Sequence, residues 1–338
     1  MNSKKVSIKD VALQSDVSVA TVSRILNNTG RFSSKTATRV MKVANDLGYR
    51  QNRLAVGLRS KESNTIGILV PDITNEFFSK IVKKCEQFLF STGYSTIICN
   101  TDRSEERERE YYRTLLDHQI DGLIIISTSA SQGSKTIETH IPTVFIDRKP
   151  SSDNESVVSS DHYEGGRIIT EYLLNDGRVP YLIMTKTKST ATIERVKAFK
   201  DVLQKRGFKK FNQHIYSLNM TSDKFLDSDK ELKDILSTLI ERKEKIGIFA
   251  INDNIAYMVI RAAKQLDIEV PKTISVIGFD GTSYSEISSP QITTIKQNVD
   301  LISKRACELL LAKMQKKNEG KKQNFFKIPV ELVVRQSS

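Results

Sequence analysis

Residues Ile8 to Asn27 read IKDVALQSDVSVATVSRILN, and this stretch decides how the start of the chain is built. Ser7 precedes an apolar pattern of Ile8, Val11, Ala12 and Leu13, with Asp10 three places on, an opening like a capping box. A second helical pattern follows almost at once, with Ser18 as its N-cap and Val22, Ile25 and Leu26 on one face. Only Ser15, Asp16 and Val17 lie between the two. A third begins near Ser34, carries Val40, Met41, Ala44 and Leu47 as its stripe, and has Gly48 as its C′ residue. Two helices joined by so short a turn make a helix-turn-helix, whose second helix lies in the major groove with its first residues against base edges. Here those residues are Val19 and Ala20, followed by Thr21, Ser23, Arg24 and Asn27. Small apolar side chains cannot read a donor or acceptor, but they pack on a thymine methyl, and Arg24 has the reach for a guanine or a phosphate. A three-helix packing module that never touches DNA has the same spacing.

Charge weighs against that alternative. The chain of 338 residues carries a formal net charge of +12, and residues 1–61 hold 12 Lys and Arg against 3 Asp, so +9 sits there and +3 is left for the other 277. A concentrated basic excess favours a polyanionic partner, because each neutralised phosphate releases counterions. Nucleic acid is the first candidate and an anionic membrane surface the second. The opening MNSKKVSIKD lacks the apolar core of a signal peptide, and no run approaches the ~20 apolar residues that span a bilayer. The expectation is a soluble cytoplasmic protein. Cys85, Cys99 and Cys307 are odd in number and widely spaced, without disulfide or zinc spacing, and read as buried thiols in a reducing compartment.

Residues 51–61, QNRLAVGLRSK, are too short and polar to own a core and read as a connector. From Thr65 the pattern changes to continuously apolar strands alternating with amphipathic helices: TIGILV, a helix over 75–91, STIICN, a helix over 104–118, GLIIIS and TVFID. After SVVSSD the rhythm repeats with YLIMT, a helix over 192–206, QHIYSL, IGIFAIN, a helix over 254–266 and SVIGFD. Strands apolar throughout and joined by helices imply parallel sheets covered on both faces, in two α/β units in series. The lysine-rich KMQKKNEGKK near 313–322 reads as a helix end and solvated loop, and FFKIPVELVVRQSS as a final strand.

The residues of IKDVALQSDVSVATVSRILN resemble the opening of the LacI/GalR family of bacterial transcription regulators, with Val19-Ala20 similar to the galactose-repressor-type subgroup, and the resemblance runs through nearly the whole chain. It implies a helix-turn-helix headpiece over 1–50, a hinge helix over 51–61, and a sugar-binding and dimerisation domain over 62–338. That domain is two-lobed, α/β and periplasmic-binding-protein-like (type I), with parallel sheets; the N-lobe takes about 62–160 and 291–322 and the C-lobe about 161–290 and 323–338. The family's DNA contacts fall on Ser7, Lys9, Ser18, Val19, Ala20, Thr21, Ser23, Arg24, Asn27, Ser33 and Thr36. The hinge positions are Asn52, Ala55 and Leu58, the last a wedge for the minor groove that kinks the duplex. The chain departs from the family at Asp16, where glycine is frequent, at Gln51, where proline is common, and at Val56-Gly57, in place of an arginine-serine. Gly57 lowers helix propensity by roughly 1 kcal/mol, as suits a hinge that orders only on DNA.

In such folds ligand lies between lobes, at the C-terminal ends of strands. Polar residues collect there: ITNEFF after IGILVPD, Asp147-Arg148 after TVFI, Asn252-Asp253 after IGIFAI, and Asp280 closing SVIGFD. A carboxylate, an arginine, amides and an aromatic pair suit vicinal hydroxyls and the faces of a sugar ring. Asn75, Phe77, Phe78, Asp147, Arg148, Arg195, Asn252, Asp280 and Gln297 match sugar-binding positions of ribose-binding proteins and ribose-type repressors; Ser127 stands where asparagine is frequent. Phe77 and Phe78 read equally well as core residues. The loop in MTKTKSTATIERV lacks the glycine usual before the arginine, which leaves ribose first and sucrose, fructose or galactose-type sugars as alternatives. The implied partners are a pseudo-palindromic double-stranded operator, a small sugar and a second copy of the chain, with no membrane and no cofactor; the need for a phosphocarrier co-effector stays open. A sugar-transport receptor of the same fold would need an export signal and no basic headpiece. A sugar- or nucleotide-processing enzyme is the other rival, but IGILVPDITN has no glycine-rich phosphate loop, and His118, His140, His162 and His214 form no metal or triad motif.

Overall fold

A computed structural model describes residues 6–27, 29–49, 63–126, 141–147, 155–186, 189–219, 225–315 and 325–338. They fall into two compact units, divided between Ser63 and Asn64. The expected hinge positions Asn52, Ala55 and Leu58 lie outside the described residues, as do Ser127 and Arg148.

The first unit packs α1 (Ile8–Gln14), α2 (Val19–Leu26) and α3 (Ser34–Asp46) around Val11, Ala12, Val22, Ile25, Val40 and Ala44. Its helix starts are set by short polar side chains. Asp10 accepts from the Ser7 backbone N–H at 2.8 Å and from its hydroxyl at 2.7 Å, while Ser18 Oγ accepts from Thr21 N and Ser33 Oγ from Thr36 N, each at 3.1 Å. Asp16 takes φ +49°, the left-handed conformation the tight turn requires, which aspartate tolerates better than most residues. Gly48, at φ +65°, ends α3 as its C′ residue.

The second unit holds two six-stranded sheets among its described residues. The first comprises β1 (Thr65–Val70), β2 (Ser95–Asn100), β3 (Gly122–Ile126), β4 (Thr143–Ile146), β5 (Ser156–Ser160) and β11 (Phe325–Ile328), in the order β11-β5-β4-β3-β1-β2. The second comprises β6 (Val179–Thr185), β7 (Ile215–Leu218), β8 (Ile246–Ala250), β9 (Ile274–Asp280), β10 (Thr293–Gln297) and β12 (Val330–Val333), in the order β12-β10-β9-β8-β6-β7. All pairs are parallel except β10 with β12. Around them lie α4 (Glu76–Ser91), α5 (Glu105–Asp117), α6 (His162–Asn175), α7 (Thr190–Lys205), α8 (Phe225–Ile240), α9 (Asp253–Gln265), α10 (Ser283–Ile287) and α11 (Val299–Met314). Central strands β3, β4, β8 and β9 are buried at every position, as their unbroken apolar runs require.

Two expected lobe assignments are corrected. Residues 293–297 belong to the second sheet, where β10 pairs with β9 from Thr293↔Ile277 onward, so the chain crosses back after Gln297 and not before Gln291. Residues 325–328 belong to the first sheet, paired with β5. The segment FFKIPVELVV is therefore not one strand: it breaks at Pro329, which has no N–H for a ladder, and its halves join different sheets. The chain thus passes between lobes near Asp161, Asn298 and Pro329. A further helix, α8, occupies a segment where the sequence reading placed none, burying Leu232, Leu236 and Leu239.

Close approach by α6 positions α7. A Cβ on Gly166 would stand 2.9 Å from the backbone O of Arg195 and 3.0 Å from the Ala198 Cβ, so α7 packs at a distance only glycine permits. Alanine is the better helix former by roughly 1 kcal/mol, yet overpacking costs about 1–3 kcal/mol. Gly166→Ala is expected to lower the urea midpoint of unfolding; a midpoint at or above that of the parent would show that α7 has room to move.

Candidate functional site

Where β4, β9 and β10 end, five side chains form a buried polar network. Asp280 Oδ1 accepts from Gln297 Nε2 at 2.7 Å and from Arg195 Nη2 at 3.1 Å. Arg195 also donates from Nη1 to the Ile251 carbonyl at 2.6 Å, and its guanidinium carbon lies 3.5 Å from the Phe279 ring centroid. His162 joins this group to Asp147: Nδ1 is 3.3 Å from Arg195 Nη2 and Nε2 is 2.9 Å from Asp147 Oδ1. A guanidinium only donates, so in the neutral ring Nδ1 accepts and Nε2 carries the proton toward Asp147. Asp147 Oδ1 accepts in addition from Ser159 Oγ at 2.9 Å and from Ser160 N at 3.1 Å.

Backbone and electrostatics mark the same place. Asp147 (φ +52°) and Asp280 (φ +109°) both occupy conformations rare for residues with a side chain, of the kind that persist where surrounding structure over-determines them. Burial would raise the Asp147 carboxyl, but His162, Ser159 and Arg195 outweigh it and hold the group below its ordinary value. Burial pushes Asp280 up despite the Arg195 guanidinium beside it. Burial also pulls Arg195 down, although arginine keeps its proton in proteins. Among the described residues, the buried donor Arg195 Nε and acceptor Gln297 Oε1 have no hydrogen-bond partner, and neither has the Ser160 hydroxyl beside Asp147.

Of the expected residues, the fold therefore joins Asp147, Arg195, Asp280 and Gln297. The other expected residues among those described have local roles. Asn75 caps α4, its Oδ1 accepting from Phe77 N at 3.0 Å and Phe78 N at 3.4 Å, and Asn252 caps α9 by accepting from Ile255 N at 2.9 Å. Phe77 is only 4% exposed and sits in the first-lobe core, whereas Phe78 is half-buried with Arg103 5.8 Å over its ring. The sequence reading missed His162, set aside with the other histidines, and Ser159. It noted Asp253 beside Asn252 but gave it no role. Asp253 accepts from Thr282 N at 2.7 Å, Thr282 Oγ1 at 3.0 Å and Thr294 Oγ1 at 2.5 Å, tying the loop after Asp280 to α9. The available signal for His162 was its place directly after a strand-end aspartate at a crossing.

In the first unit, Val19 (40% exposed) and Ala20 stand exposed at the start of α2, with Lys9, Ser18, Arg24 and Asn27 also exposed. Ser7, Ser18 and Ser33 cap α1, α2 and α3; Ser18 and Ser33 each bond in addition to a threonine hydroxyl, of Thr21 and Thr36 respectively. Ser23 gives its carbonyl to Asn27 Nδ2 at 2.8 Å. Among the described residues there is no group of metal-ligating side chains, and no helix is long and apolar enough to cross a membrane.

Comparison with known proteins agrees with this architecture. Residues 7–52 match the family of bacterial regulatory proteins, lacI family, and residues 171–338 match a periplasmic binding protein-like domain. A ribose operon repressor of Halalkalibacterium halodurans is 31% identical over 98% of this chain and 97% of its own length. A sucrose operon repressor of Streptococcus mutans is 33% identical over 93% and 94%. A lac repressor dimer bound to operator and the anti-inducer ONPF superposes with a TM-score of 0.84, at 25% identity, over 99% of both chains. The chain belongs to the LacI family of bacterial transcription regulators. It is a DNA-binding transcriptional repressor with a helix-turn-helix headpiece and a two-lobed effector domain, and its relatives are repressors, not enzymes.

One titration follows from the buried carboxylates. Burial, with the charge of Asp280 nearby, pushes Asp253 up to about 7. An unfolded aspartate titrates near 4, so folding takes up a proton between those values; this stabilisation is full below about pH 4 and is lost as pH rises through 7. Asp253→Asn removes that titration, so urea unfolding between pH 4 and 7 should show a smaller decline of stability with pH than in the parent. Equal slopes would mean that Asp253 does not titrate in this range.

Proposed function

We propose that this protein represses a sugar-utilisation operon as a homodimer on a pseudo-palindromic operator, and that a small neutral sugar, ribose first, is its effector. The observation that carries the effector reading is the pair of buried atoms left unpaired among the described residues, Arg195 Nε and Gln297 Oε1, on two side chains that both donate to Asp280 Oδ1. Leaving a buried donor or acceptor unpaired costs about 1–3 kcal/mol, and a hydroxyl, which both donates and accepts, can meet either atom. The network sets two carboxylates, Asp147 and Asp280, against the one guanidinium of Arg195, which favours an uncharged polyol over an anion. Phe78 supplies one half-buried aromatic face. The name of the Halalkalibacterium relative favours ribose; that of the Streptococcus relative makes sucrose the second candidate.

On the DNA side, the basic excess of residues 1–61 supplies sequence-independent affinity, and Val19 and Ala20 discriminate by methyl contact. Lys9, Arg24, Asn27, Ser33 and Thr36 position the headpiece, and Asn52, Ala55 and Leu58 complete the contact as the hinge. Dimerisation is supported by the edge strand β2, whose Ile98 is 45% exposed, with Ile73 and Phe90 also exposed on the same lobe. Sugar is proposed to close the lobes and so bias the operator-bound state, to the extent of its differential affinity for the two states.

Titration of a labelled palindromic operator against D-ribose, sucrose, fructose and galactose tests this reading. Salt-sensitive operator binding that ribose alters at lower concentration than the other sugars is expected; indifference to all four sinks the effector assignment. Replacing Val19→Tyr and Ala20→Gln together should reduce affinity for the parent operator by about 10-fold or more while leaving sugar affinity unchanged, given that a good base contact contributes about 1–3 kcal/mol. Unchanged binding to that operator would remove these two positions from base reading.

A further inference from the structure

Away from the crossings, a carboxylate joins the lobes. Glu76 opens α4, which packs in the first-lobe core, and Ser283 opens α10, which follows β9 of the second sheet. Both Glu76 oxygens accept from the Ser283 backbone N–H, at 2.9 and 3.0 Å, and the Ser283 hydroxyl donates to Oε2 as well. Lys80, one turn further along α4, holds Oε1 at 2.5 Å. The loop that Glu76 grips leads out of the buried network: Thr282, next to Ser283, is bound by buried Asp253, and Asp280, three residues before Ser283, accepts from Arg195 and Gln297.

We propose that Glu76 is a positioning residue, a clasp that couples the start of α4 to the Asp280–Ser283 loop and so sets how readily the two lobes stay closed. Among the described residues the hydrogen bonds of the Glu76 carboxylate go to Ser283 and Lys80 and not to the network side chains; it acts through Ser283 and the loop behind it. Lys80 and the Ser283 donors outweigh partial burial and keep the carboxyl below its ordinary value, so the clasp is ionised at neutral pH. Opening the lobes would strip the carboxylate of its Ser283 donors and leave it with Lys80 alone. A sugar that binds the closed form then gains affinity in proportion to how far the clasp has already populated that form. This last step rests on the effector reading above, whereas the effect on lobe closure does not.

Two substitutions on opposite sides test it in the full-length protein. Glu76→Ala removes the acceptor. Ser283→Pro removes both donors, at the first position of a helix, where proline is well tolerated. Nitroxide labels on Lys83→Cys in α4 and Gln265→Cys at the end of α9, both exposed positions, report the distance between lobes by pulsed electron resonance, in dimers diluted with unlabelled protein. Without any sugar, each variant should shift the distance distribution toward longer values, and the double variant should shift it no further than either single one. D-ribose affinity, read by calorimetry, should fall about 3–10-fold in each, with the same lack of additivity. Distributions identical to the parent's in both variants would overturn the clasp. Longer distances with no ribose binding even in the parent would uphold it while refuting ribose as the effector.

Discussion

The effector domain is organised around the cost of burying Arg195 against Asp280. Taking a guanidinium and a carboxylate out of water is worthwhile only when nearly every donor and acceptor left over is met. The surrounding structure does this: the Ile251 carbonyl takes one Arg195 nitrogen, Gln297 supplements the guanidinium at Asp280, Phe279 lies beneath the cation, and His162 passes the network on to Asp147. Those groups come from the ends of β4, β8, β9 and β10 and the starts of α6 and α7, so parallel sheets with short strand-end loops are what bring them together. His162 and Gln297 also stand beside the points where the chain passes between lobes.

Much of this was legible in the sequence, and what was not has physical reasons. Continuous apolar runs such as GLIII and IGIFA gave away strands buried on both faces, and Ser7, Ser18 and Ser33 marked the helix starts because an N-cap is a local, short-range choice. Asp147 and Asp280 stand out because a polar residue closing such a run is conspicuous, whereas Gln297 in TTIKQ was singled out only by the family resemblance. His162 was not, since nothing near it in sequence shows that Arg195 and Asp147 will lie on its two nitrogens. The lobe boundaries failed for a related reason: whether Thr293–Gln297 pairs with β9 or with a strand of the first sheet is a non-local matter that periodicity does not encode. Pro329 alone offered a local hint that the last strand divides.

The headpiece divides its labour differently. Its core is six small or branched residues, and its outward face at Val19 and Ala20 is nearly bare of hydrogen-bonding groups. In the proposed reading, affinity comes from basic residues spread over the segment and selectivity from shape, so that the reading positions could change without loss of general DNA binding. The network around Asp280 shows the opposite economy: it is dense in hydrogen bonds, and among the described residues Arg195 Nε and Gln297 Oε1 are still left over. The proposed clasp at Glu76 adds a contact from the first lobe to a donor pair on the loop that follows Asp280, and would link lobe closure to the network.

The central claim is that a ligand hydroxyl completes the Arg195–Asp280–Gln297 network. A crystal structure of the protein grown with D-ribose tests it directly. The account predicts ligand oxygens within hydrogen-bonding distance, about 2.7–3.2 Å, of both Arg195 Nε and Gln297 Oε1. Ribose bound elsewhere, or bound with those two atoms still unpartnered, would contradict it.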